Sequence, residues 1–485
     1  MINWKLIAKI LGSLLFIEAF FMALCLIMTV IYGESDLLVF LVSTAITSGG
    51  AFLFRYLGRS ADNSLNRRDA YVVVTLTWVV FSLFGMLPFL IQGMPSSLAD
   101  AYFETMSGFT TTGVTVIDDV ESLSHGLLFW RSLMQWIGGL GIVFFTVALL
   151  PSLVGGSVKV FAAEATGPMR SKMHPRLSTS AKWIWSIYLL LTLACGLSFW
   201  ACGMEWFEAA NYSMTTTATG GFSIHNGSTV FLGSPLLEYL AILFQFLAGI
   251  NFTLLYLTFF KMKPASVLRN SEFRLYVATI AVATVWIMYL LITRLGYDVE
   301  LALRSSLFQV VSFMTTTGLS NTDAGTWPHA TWFILGGLMF MGACAGSTTG
   351  GFKSIRVLML LRVLRNEFYH ILHPNAVMPV RIGGQSVPSR RLVTLLALFT
   401  LYILMLLLTT AVMILSGIDV TNAITIALSL ISNVGAGLDT NIGPQMSWAE
   451  LSDGLKWLCS FLMLVGRLEI MTVLVLFTRE FWKKT

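Results

Sequence analysis

Long apolar stretches alternate with short polar stretches along most of the chain. A helix that crosses a lipid bilayer needs about 20 mostly apolar residues. Ten stretches are predicted to cross as helices, at residues 6–32, 37–54, 71–91, 127–150, 183–202, 236–260, 276–295, 331–344, 392–415 and 455–477. This pattern predicts an all-α polytopic membrane protein.

The overall composition agrees with that class. Of the 485 residues, 56% are hydrophobic and 11% are charged. Residues 6–32 lack an obvious small-residue cleavage site, so we expect the first apolar stretch to remain as a helix. The five cysteines are scattered through apolar segments without CxxC spacing, so neither a disulfide framework nor a zinc site is expected.

The basic residues are concentrated in every second loop. They fall within residues 55–68, 159–176, 261–274 and 353–391, and at the C-terminal Lys483 and Lys484. Acidic residues such as Asp118, Glu205 and Asp419 fall in the other loops. Because positively charged loops stay on the cytoplasmic side, this pattern predicts ten spans with both termini in the cytoplasm. The net charge of +5 therefore reports topology and gives no indication of a nucleic-acid partner.

Four similar segments, each too short to cross the membrane, interrupt the apolar pattern. They read AYFETMSGFTTTGVT, AANYSMTTTATGGFS, SLFQVVSFMTTTGLS and AITIALSLISNVGAG. Each has a helix-compatible stretch followed by Thr, Ser or Asn and then a glycine, at Gly113, Gly220, Gly318 and Gly435, which are spaced by 107, 98 and 117 residues. A near-constant period indicates an internal repeat.

The repeat predicts the domain organisation. Residues 1–68 form two extra N-terminal transmembrane helices. Four repeats of span, short pore helix, filter turn and span follow in residues 69–175, 176–270, 271–385 and 386–485. We expect a pseudo-fourfold arrangement of these repeats around one pore.

The chemistry of the four turns suits a cation pore. Irregular backbone at membrane depth is tolerated only where it is buried in protein or lines water. Converging carbonyl oxygens can replace the hydration shell of a monovalent cation, and glycine adopts the conformations that such a turn needs. Thr112, Thr219, Thr317 and Asn433 add side-chain oxygens. The candidate filter residues are Thr111, Thr112, Gly113, Thr219, Gly220, Gly221, Thr317, Gly318, Leu319, Val434, Gly435 and Ala436. The alternative is that the glycines only allow close helix packing.

The second span of the third repeat differs from the other second spans. From Gly342 it reads GACAGSTTGGFKSIR. Glycine and small polar residues weaken a helix, so we predict a broken helix whose loop lies under the filter and blocks it. The candidate gating residues are Gly342, Gly346, Gly350 and Gly351. The alternative is a tightly packed contact between helices.

Arg467 lies near the middle of the last apolar stretch, 11 residues after Lys456 and 12 before Arg479. An arginine at that depth is costly and indicates a functional site. We expect it to be part of the gate, where it faces the pore below the filter, repels cations and hydrogen-bonds carbonyl groups of the loop between Gly342 and Gly351. Glu469 is expected to pair with a residue of another span. A structural ion pair is the alternative for both.

Two further features bear on function. Residues 353–391 are rich in basic side chains and form either a docking surface for a cytosolic subunit or an ordinary cytoplasmic loop. The sequence has no evident Ser/His/Asp or Cys/His constellation, so we predict that the protein is not an enzyme and that the chain holds no cofactor.

The four turns also carry a resemblance to a known family. SGFTTTGVT, TATGGFS, TTTGLS and SNVGAGL resemble the four filter segments of the Trk/Ktr/HKT superfamily of potassium transport proteins. The resemblance covers essentially the whole chain, and the two extra N-terminal spans resemble the bacterial TrkH type more than the shorter KtrB type. Gly113 stands where the sodium-favouring plant members have serine, which favours potassium.

This resemblance carries several expectations. It implies potassium uptake across the bacterial cytoplasmic (inner) membrane, with potassium as the substrate and the only metal at the filter residues. It also implies a homodimer with one pore per protomer and a cytosolic TrkA-like nucleotide-binding regulatory subunit that gates the pore. The competing function is a secondary symporter that couples potassium to protons or sodium, because broken helices at mid-membrane also mark alternating access.

Overall fold

The computed structural model describes residues 2–62, 65–95, 97–141, 177–230, 233–376, 378–438 and 447–483. Several predictions made from the sequence lie outside these residues. They are the basic loop at 159–176, the end of the predicted span 127–150, and the C-terminal Lys484.

Two long helices open the chain, α1 (Trp4–Tyr32) and α2 (Leu37–Leu57). They form a hairpin in which Gly12 of α1 lies directly against the backbone of Ala51 and Arg55. The absence of a side chain at Gly12 lets the two helices approach closely. Gly33 ends α1 in the left-handed conformation, with a φ of 65°, and turns the chain toward α2. The predicted N-terminal pair is therefore present.

The remaining helices follow in chain order and fall into four successive groups. The first group is α3 (Arg67–Gly85), α4 (Leu87–Gln92), α5 (Leu98–Phe109) and α6 (His125–Gly139). The second is α7 (Leu177–Ala201), α8 (Trp206–Ala218), α9 (Pro235–Ala248), α10 (Phe252–Phe259) and α11 (Ala265–Leu268). The third is α12 (Ser271–Leu295), α13 (Val299–Met314), α14 (His329–Met341) and α15 (Ser354–Leu372). The fourth is α16 (Ser389–Leu415), α17 (Val420–Ser432), α18 (Asp453–Arg467), α19 (Ile470–Leu474) and α20 (Arg479–Trp482).

A few short elements complete the described chain. Single turns of 3₁₀-helix lie at Val120–Ser122, Ala324–Thr326 and Val475–Phe477. A two-stranded antiparallel hairpin, β1 (Arg381–Ile382) and β2 (Gln385–Ser386), connects α15 to α16, with Arg381 opposite Ser386.

Six helical stretches in the described residues are long and apolar enough to cross a membrane. They are Trp4–Tyr32, Leu37–Leu57, Arg67–Gln92, Ala181–Ala201, Ser271–Leu295 and Ser389–Leu415. The helices at the predicted spans 236–260 and 455–477 are bent and not straight. Helices α9 and α10 meet at 104°, and α18 meets the following helical segment, Ile470–Phe477, at 113°. Asn251 caps the start of α10 and Glu469 has a positive φ of 58°, so a straight helix is interrupted at both places.

The four predicted short helices are present as α5, α8, α13 and α17. In each of them the last seven residues are all buried. Helices of this length cannot cross a bilayer, so each ends inside the protein. The four helix ends, and the turns that follow them, therefore define an interior polar region.

Candidate functional site

The four turns after the short helices share one backbone conformation. We refer to residues 110–114, 218–222, 315–319 and 432–436 as the turn segments. Each short helix is followed by one residue in the left-handed region, namely Thr111, Thr219, Thr316 or Asn433, with φ between 52° and 55°. Two residues later comes a glycine with positive φ, at Gly113, Gly221, Gly318 or Gly435. The four turn segments are thus copies of one structure.

The hydrogen bonds that end the four short helices are also equivalent. The residue after the left-handed one donates its N–H to a carbonyl five residues earlier, in the pattern of a Schellman cap. These bonds run from Thr112 to Ser107, from Gly220 to Thr215, from Thr317 to Ser312 and from Val434 to Ser429, at 2.8 to 2.9 Å.

The structure corrects the register that we predicted for two turns. Gly221, not Gly220, occupies the position of Gly113, and Gly220 corresponds to Thr112. Thr219 and Asn433 correspond to Thr111 and not to Thr112. The sequence contains two adjacent glycines in the second turn, and only the backbone conformation distinguishes them.

The four turn segments contact one another in a closed cycle. A Cβ added to Gly113 would overlap the carbonyl oxygen of Gly220. In the same way Gly221 lies against the Thr317 oxygen, Gly318 against the Val434 oxygen, and Gly435 against the Thr112 oxygen. Each contact links one turn segment to the next, and the fourth links back to the first. Glycine is required at these positions both by the positive φ and by the neighbouring carbonyl group.

Buried side chains support the turn segments from behind. Ser107 donates to the Val114 carbonyl and Ser312 donates to the Leu319 carbonyl, each at 2.6 Å. The Asn433 amide donates to the Thr112 hydroxyl and to the Met463 carbonyl, both at 2.9 Å. The fourth turn segment is therefore tied both to the first and to its own second span.

A buried ion pair joins the residues that follow the first two turn segments, and sequence reasoning missed it. Arg131 of α6 contacts Glu104 of α5, Nε to Oε1, at 2.9 Å, and donates to the Ser223 carbonyl at 2.7 Å. Glu104 also accepts from the Val116 N–H at 3.0 Å. Both side chains are almost fully buried. Two opposite charges inside apolar stretches were the signal that could have identified this pair.

The predicted interruption in the third repeat is present. Helix α14 ends at Met341 and α15 begins at Ser354. Between them lies the glycine-rich loop, residues 342–353. Gly342, Gly346 and Gly351 in this loop have positive φ, which accounts for the loss of helix there.

The glycine-rich loop contacts three of the four short helices or their turn segments. The Gly350 N–H donates to the Thr316 hydroxyl at 2.7 Å, and the Gly351 N–H donates to the Ser432 carbonyl at 2.9 Å. The Thr348 hydroxyl reaches the Thr217 carbonyl at 3.2 Å. The loop therefore lies across the ends of α8, α13 and α17.

Arg467 is the last residue of α18, at the bend of the final span, and not in the middle of a continuous helix. Its guanidinium donates to the Thr348 carbonyl at 2.9 Å, which is the predicted contact with the glycine-rich loop. It also donates to the carbonyls of Gly138 and Gly139, at 2.7 and 2.6 Å, at the end of α6. One side chain thus joins the first, third and fourth repeats.

Three further charged residues lie in or near the glycine-rich loop. Glu469 pairs with Arg356 of α15, so the prediction of a partner outside its own span is confirmed. Glu272, at the start of α12, accepts the Ala345 N–H at 2.6 Å. Lys353 is buried and donates to the Thr349 carbonyl within the loop. Glu272 and Lys353 lie near helix ends in basic regions, where the sequence pattern indicated only cytoplasmic loop charge.

The candidate docking segment, residues 353–391, comprises α15 and the β1–β2 hairpin. Arg365 is exposed and Arg362 is half-buried. Leu361, Leu364 and Phe368 on the same helix are also exposed.

All five cysteines are free, and no cluster of His, Cys, Asp and Glu suited to a metal ion occurs in the part of the chain that the structure describes.

The fold is that of a polytopic helical protein with four buried glycine turns in a closed cycle, which places it among the membrane transport proteins. The comparisons with known proteins define which family of transport proteins it is. Residues 40–484 match the TrkH family of cation transport proteins, and the chain belongs to that family. The predictions of the family and of a protein that is not an enzyme are therefore confirmed.

Relatives of this family match 99% of the chain. It is 36% identical to the Trk system potassium uptake protein TrkH of Halomonas elongata over 99% of both chains. It is 33% identical to the protein of the same name from Escherichia coli, over 99% of this chain and 100% of that protein. The crystal structure of the potassium transporter TrkH from Vibrio parahaemolyticus matches with a TM-score of 0.89 and 32% identity, over 99% of this chain and 100% of that one.

Proposed function

We propose that this protein takes up potassium ions through a channel-like pore whose selectivity filter is formed by the four turn segments. The observation that carries the proposal is the closed cycle in which each turn glycine lies against a carbonyl oxygen of the next segment. In this proposal the four turn segments direct backbone oxygens toward one axis with pseudo-fourfold symmetry. Relatives that match along the entire chain are named potassium uptake proteins, which supports potassium as the substrate.

The filter acts by replacing water around the ion. Carbonyl oxygens of the turn segments take the place of the hydration shell, while the C-terminal ends of α5, α8, α13 and α17 direct their partial negative charge toward the ion. Each turn segment contributes only a short irregular stretch, so few complete rings of carbonyl groups form. We therefore expect modest discrimination between potassium and sodium.

The glycine-rich loop and Arg467 form the gate. The loop lies across the ends of three short helices, and the Arg467 guanidinium binds it through Thr348. A positive charge below the filter repels cations, and its hydrogen bonds hold the loop in the blocking position. Opening requires that the loop move, and glycines with positive φ at both ends of the loop make such a movement feasible.

The protein works as part of a larger assembly. In this proposal it is a homodimer in the bacterial inner membrane, with one pore per protomer and both termini in the cytoplasm. A cytosolic TrkA-like nucleotide-binding subunit binds at residues 353–391 and moves the gate. The names of the relatives, which place them in a Trk system, support a partner of this kind.

Ion flux into liposomes that contain the purified protein alone tests the proposal. A potassium gradient drives the flux, and the measurement is repeated with sodium, rubidium and a proton-sensitive dye. We expect potassium to move down its own gradient without proton movement. Potassium uptake that requires a proton or sodium gradient would contradict the pore and establish the coupled symporter instead.

A further inference from the structure

The second turn segment differs from the other three at the position immediately before its left-handed glycine. That position is Thr112 in the first segment, Thr317 in the third and Val434 in the fourth, but it is Gly220 in the second. Two successive glycines, Gly220 and Gly221, leave these two positions of the segment without side chains that could fix the backbone. A glycine pair has more conformational freedom than any other dipeptide.

Gln135 of α6 fills the space that the missing side chain leaves. A Cβ added to Gly220 would overlap the side-chain amide of Gln135, and the three nearest atoms to that position all belong to this amide. Gln135 is fully buried. The amide comes from the first repeat and completes a turn of the second repeat.

The Gln135 amide also holds the backbone of the second segment on both sides of Gly221. Its Nε2 donates to the Gly220 carbonyl at 2.7 Å. Its Oε1 accepts the Phe222 N–H at 3.0 Å. Both halves of the amide are used, so the side chain fixes the peptide groups before and after the left-handed glycine. The Gly220 carbonyl is also the oxygen that lies against Gly113 in the cycle.

Gln245 in the second repeat is the counterpart of Gln135 in the first repeat. Gly139 packs against Ala218, and Gly249 packs against Thr315, which is the equivalent residue one segment later. Gln135 and Gln245 each lie four residues before these glycines. Gln245 is equally buried, but neither of its amide atoms has a hydrogen-bond partner among the residues that the structure describes. Its neighbouring segment has Thr317, whose hydroxyl bonds Thr315 at 2.8 Å.

We infer that Gln135 is a positioning residue of the filter that replaces, from the neighbouring repeat, the side chain absent at Gly220, and so sets the discrimination between potassium and sodium. The inference rests on the proposed function of the turn segments. Gln245, in the equivalent place, has no such role because Thr317 supplies its own side chain.

The test compares Gln135→Ala with Gln245→Ala in the full-length protein reconstituted in liposomes. The measured quantity is the ratio of sodium to potassium permeability. Loss of two buried hydrogen bonds is expected to raise this ratio about three- to tenfold in Gln135→Ala. Gln245→Ala removes the same volume from an equivalent buried site. An effect of packing alone would therefore change the permeability ratio equally in the two variants.

A double variant supplies the sharper test. Gly220→Thr alone should disrupt the filter, because its side chain overlaps the Gln135 amide. In Gln135→Ala/Gly220→Thr that space is free, and threonine is the residue at the equivalent positions 112 and 317. We expect the double variant to recover most of the selectivity that Gln135→Ala loses. If Gln135→Ala does not fold, Gln135→Met, whose side chain has no donor for the Gly220 carbonyl, should show the same loss of selectivity.

The outcomes separate this inference from the proposed function. An unchanged permeability ratio in the Gln135 variants, equal changes in both alanine variants, or no recovery in the double variant would overturn the inference while the unmodified protein still conducts potassium. If the unmodified protein moves potassium only with a proton or sodium gradient, the proposed function fails, and the inference that rests on it fails with it.

Discussion

Lys456 of α18 contacts Asp100 of α5, with Nζ 2.5 Å from Oδ1, and so joins the second span of the fourth repeat to the short helix of the first. Arg304 of α13 makes a corresponding contact with Glu238 of α9, at 2.5 Å, between the third and second repeats. Lys456 and Glu238 each lie 11 residues before the bend-site residues Arg467 and Gly249. Lys456 and Glu238 therefore occupy equivalent positions, while Asp100 and Arg304 differ by one residue on their short helices, and the charges of the two ion pairs are reversed.

The reversal leads to a charge-swap prediction. Lys456→Ala leaves Asp100 without its cation in a mostly buried site and should destabilise the protein by about 3 kcal/mol. Asp100→Lys/Lys456→Asp copies the polarity of the Arg304–Glu238 pair and should recover most of that loss. The apparent melting temperature in detergent measures both effects. A double variant that melts as early as Lys456→Ala would show that the polarity of this site is fixed by its other surroundings.

The closed cycle of turn segments predicts the effect of adding one methyl group. In Gly435→Ala the new Cβ overlaps the Thr112 carbonyl oxygen and forces a non-glycine residue to a φ of 81°. We expect about a tenfold or greater loss of potassium flux, since the left-handed conformation alone costs about 1–2 kcal/mol.

The control for that experiment is Gly337→Ala. Gly337 is an exposed glycine within α14, with open space where its Cβ would be. Potassium flux of this variant should match that of the unmodified protein. A Gly435→Ala protein with normal potassium flux would contradict the assignment of the turn segments as the filter.

Arg467 gives a prediction about the gate. Arg467→Ala removes the hydrogen bonds to Thr348, Gly138 and Gly139, so the glycine-rich loop loses an anchor and the pore loses a positive charge. Because a hydrogen bond to a charged group contributes about 1.5–3 kcal/mol, we expect potassium flux without any regulatory subunit to rise about tenfold. Arg294→Ala, which removes an exposed arginine at the end of α12, serves as the control. Unchanged flux in Arg467→Ala would count against the gating role.

The docking segment leads to a binding prediction. Reversing the charge at Arg362 and Arg365 together, with Arg362→Glu/Arg365→Glu, should weaken the complex with a TrkA-like subunit by tenfold or more, because repulsion replaces attraction on one face of α15. Arg55→Glu/Arg59→Glu makes the same change of charge at the end of the N-terminal hairpin and should leave binding unaffected. The dissociation constant is measured by titration of the purified subunit. Equal binding by the two double variants would remove α15 from the interface.

Much of this architecture follows from the sequence, because apolar length and the four-copy repeat are strong signals. The bends in the second and fourth repeats do not follow from it. Residues 236–260 and 455–477 are mostly apolar, and each bend depends on one or two residues, such as Asn251 or Glu469, that also occur within straight helices. The sequence indicated a break only in the third repeat, where several glycines occur together.

The site was predictable to a similar extent. The repeat placed the turn segments within one residue, but it did not distinguish Gly220 from Gly221, since the choice depends on which peptide faces the next segment. The contact from Arg467 to the loop was predictable because an arginine in an apolar stretch has few available partners. Gln135 gave no comparable signal, because a single glutamine in a span is compatible with many hydrogen-bond partners.

The contact between Gly435 and the Thr112 carbonyl joins residues 323 positions apart in the chain, and it has a consequence for biosynthesis. The first three turn segments can be made and inserted without completing the cycle, because Asn433 and Gly435 belong to the last repeat to leave the ribosome. A chain that stops early lacks one side of the ring and the arginine that holds the loop. In the proposed pore, the repeat that completes the ring also supplies Arg467, so an unfinished copy of the protein has neither the complete ring nor the residue that binds the glycine-rich loop.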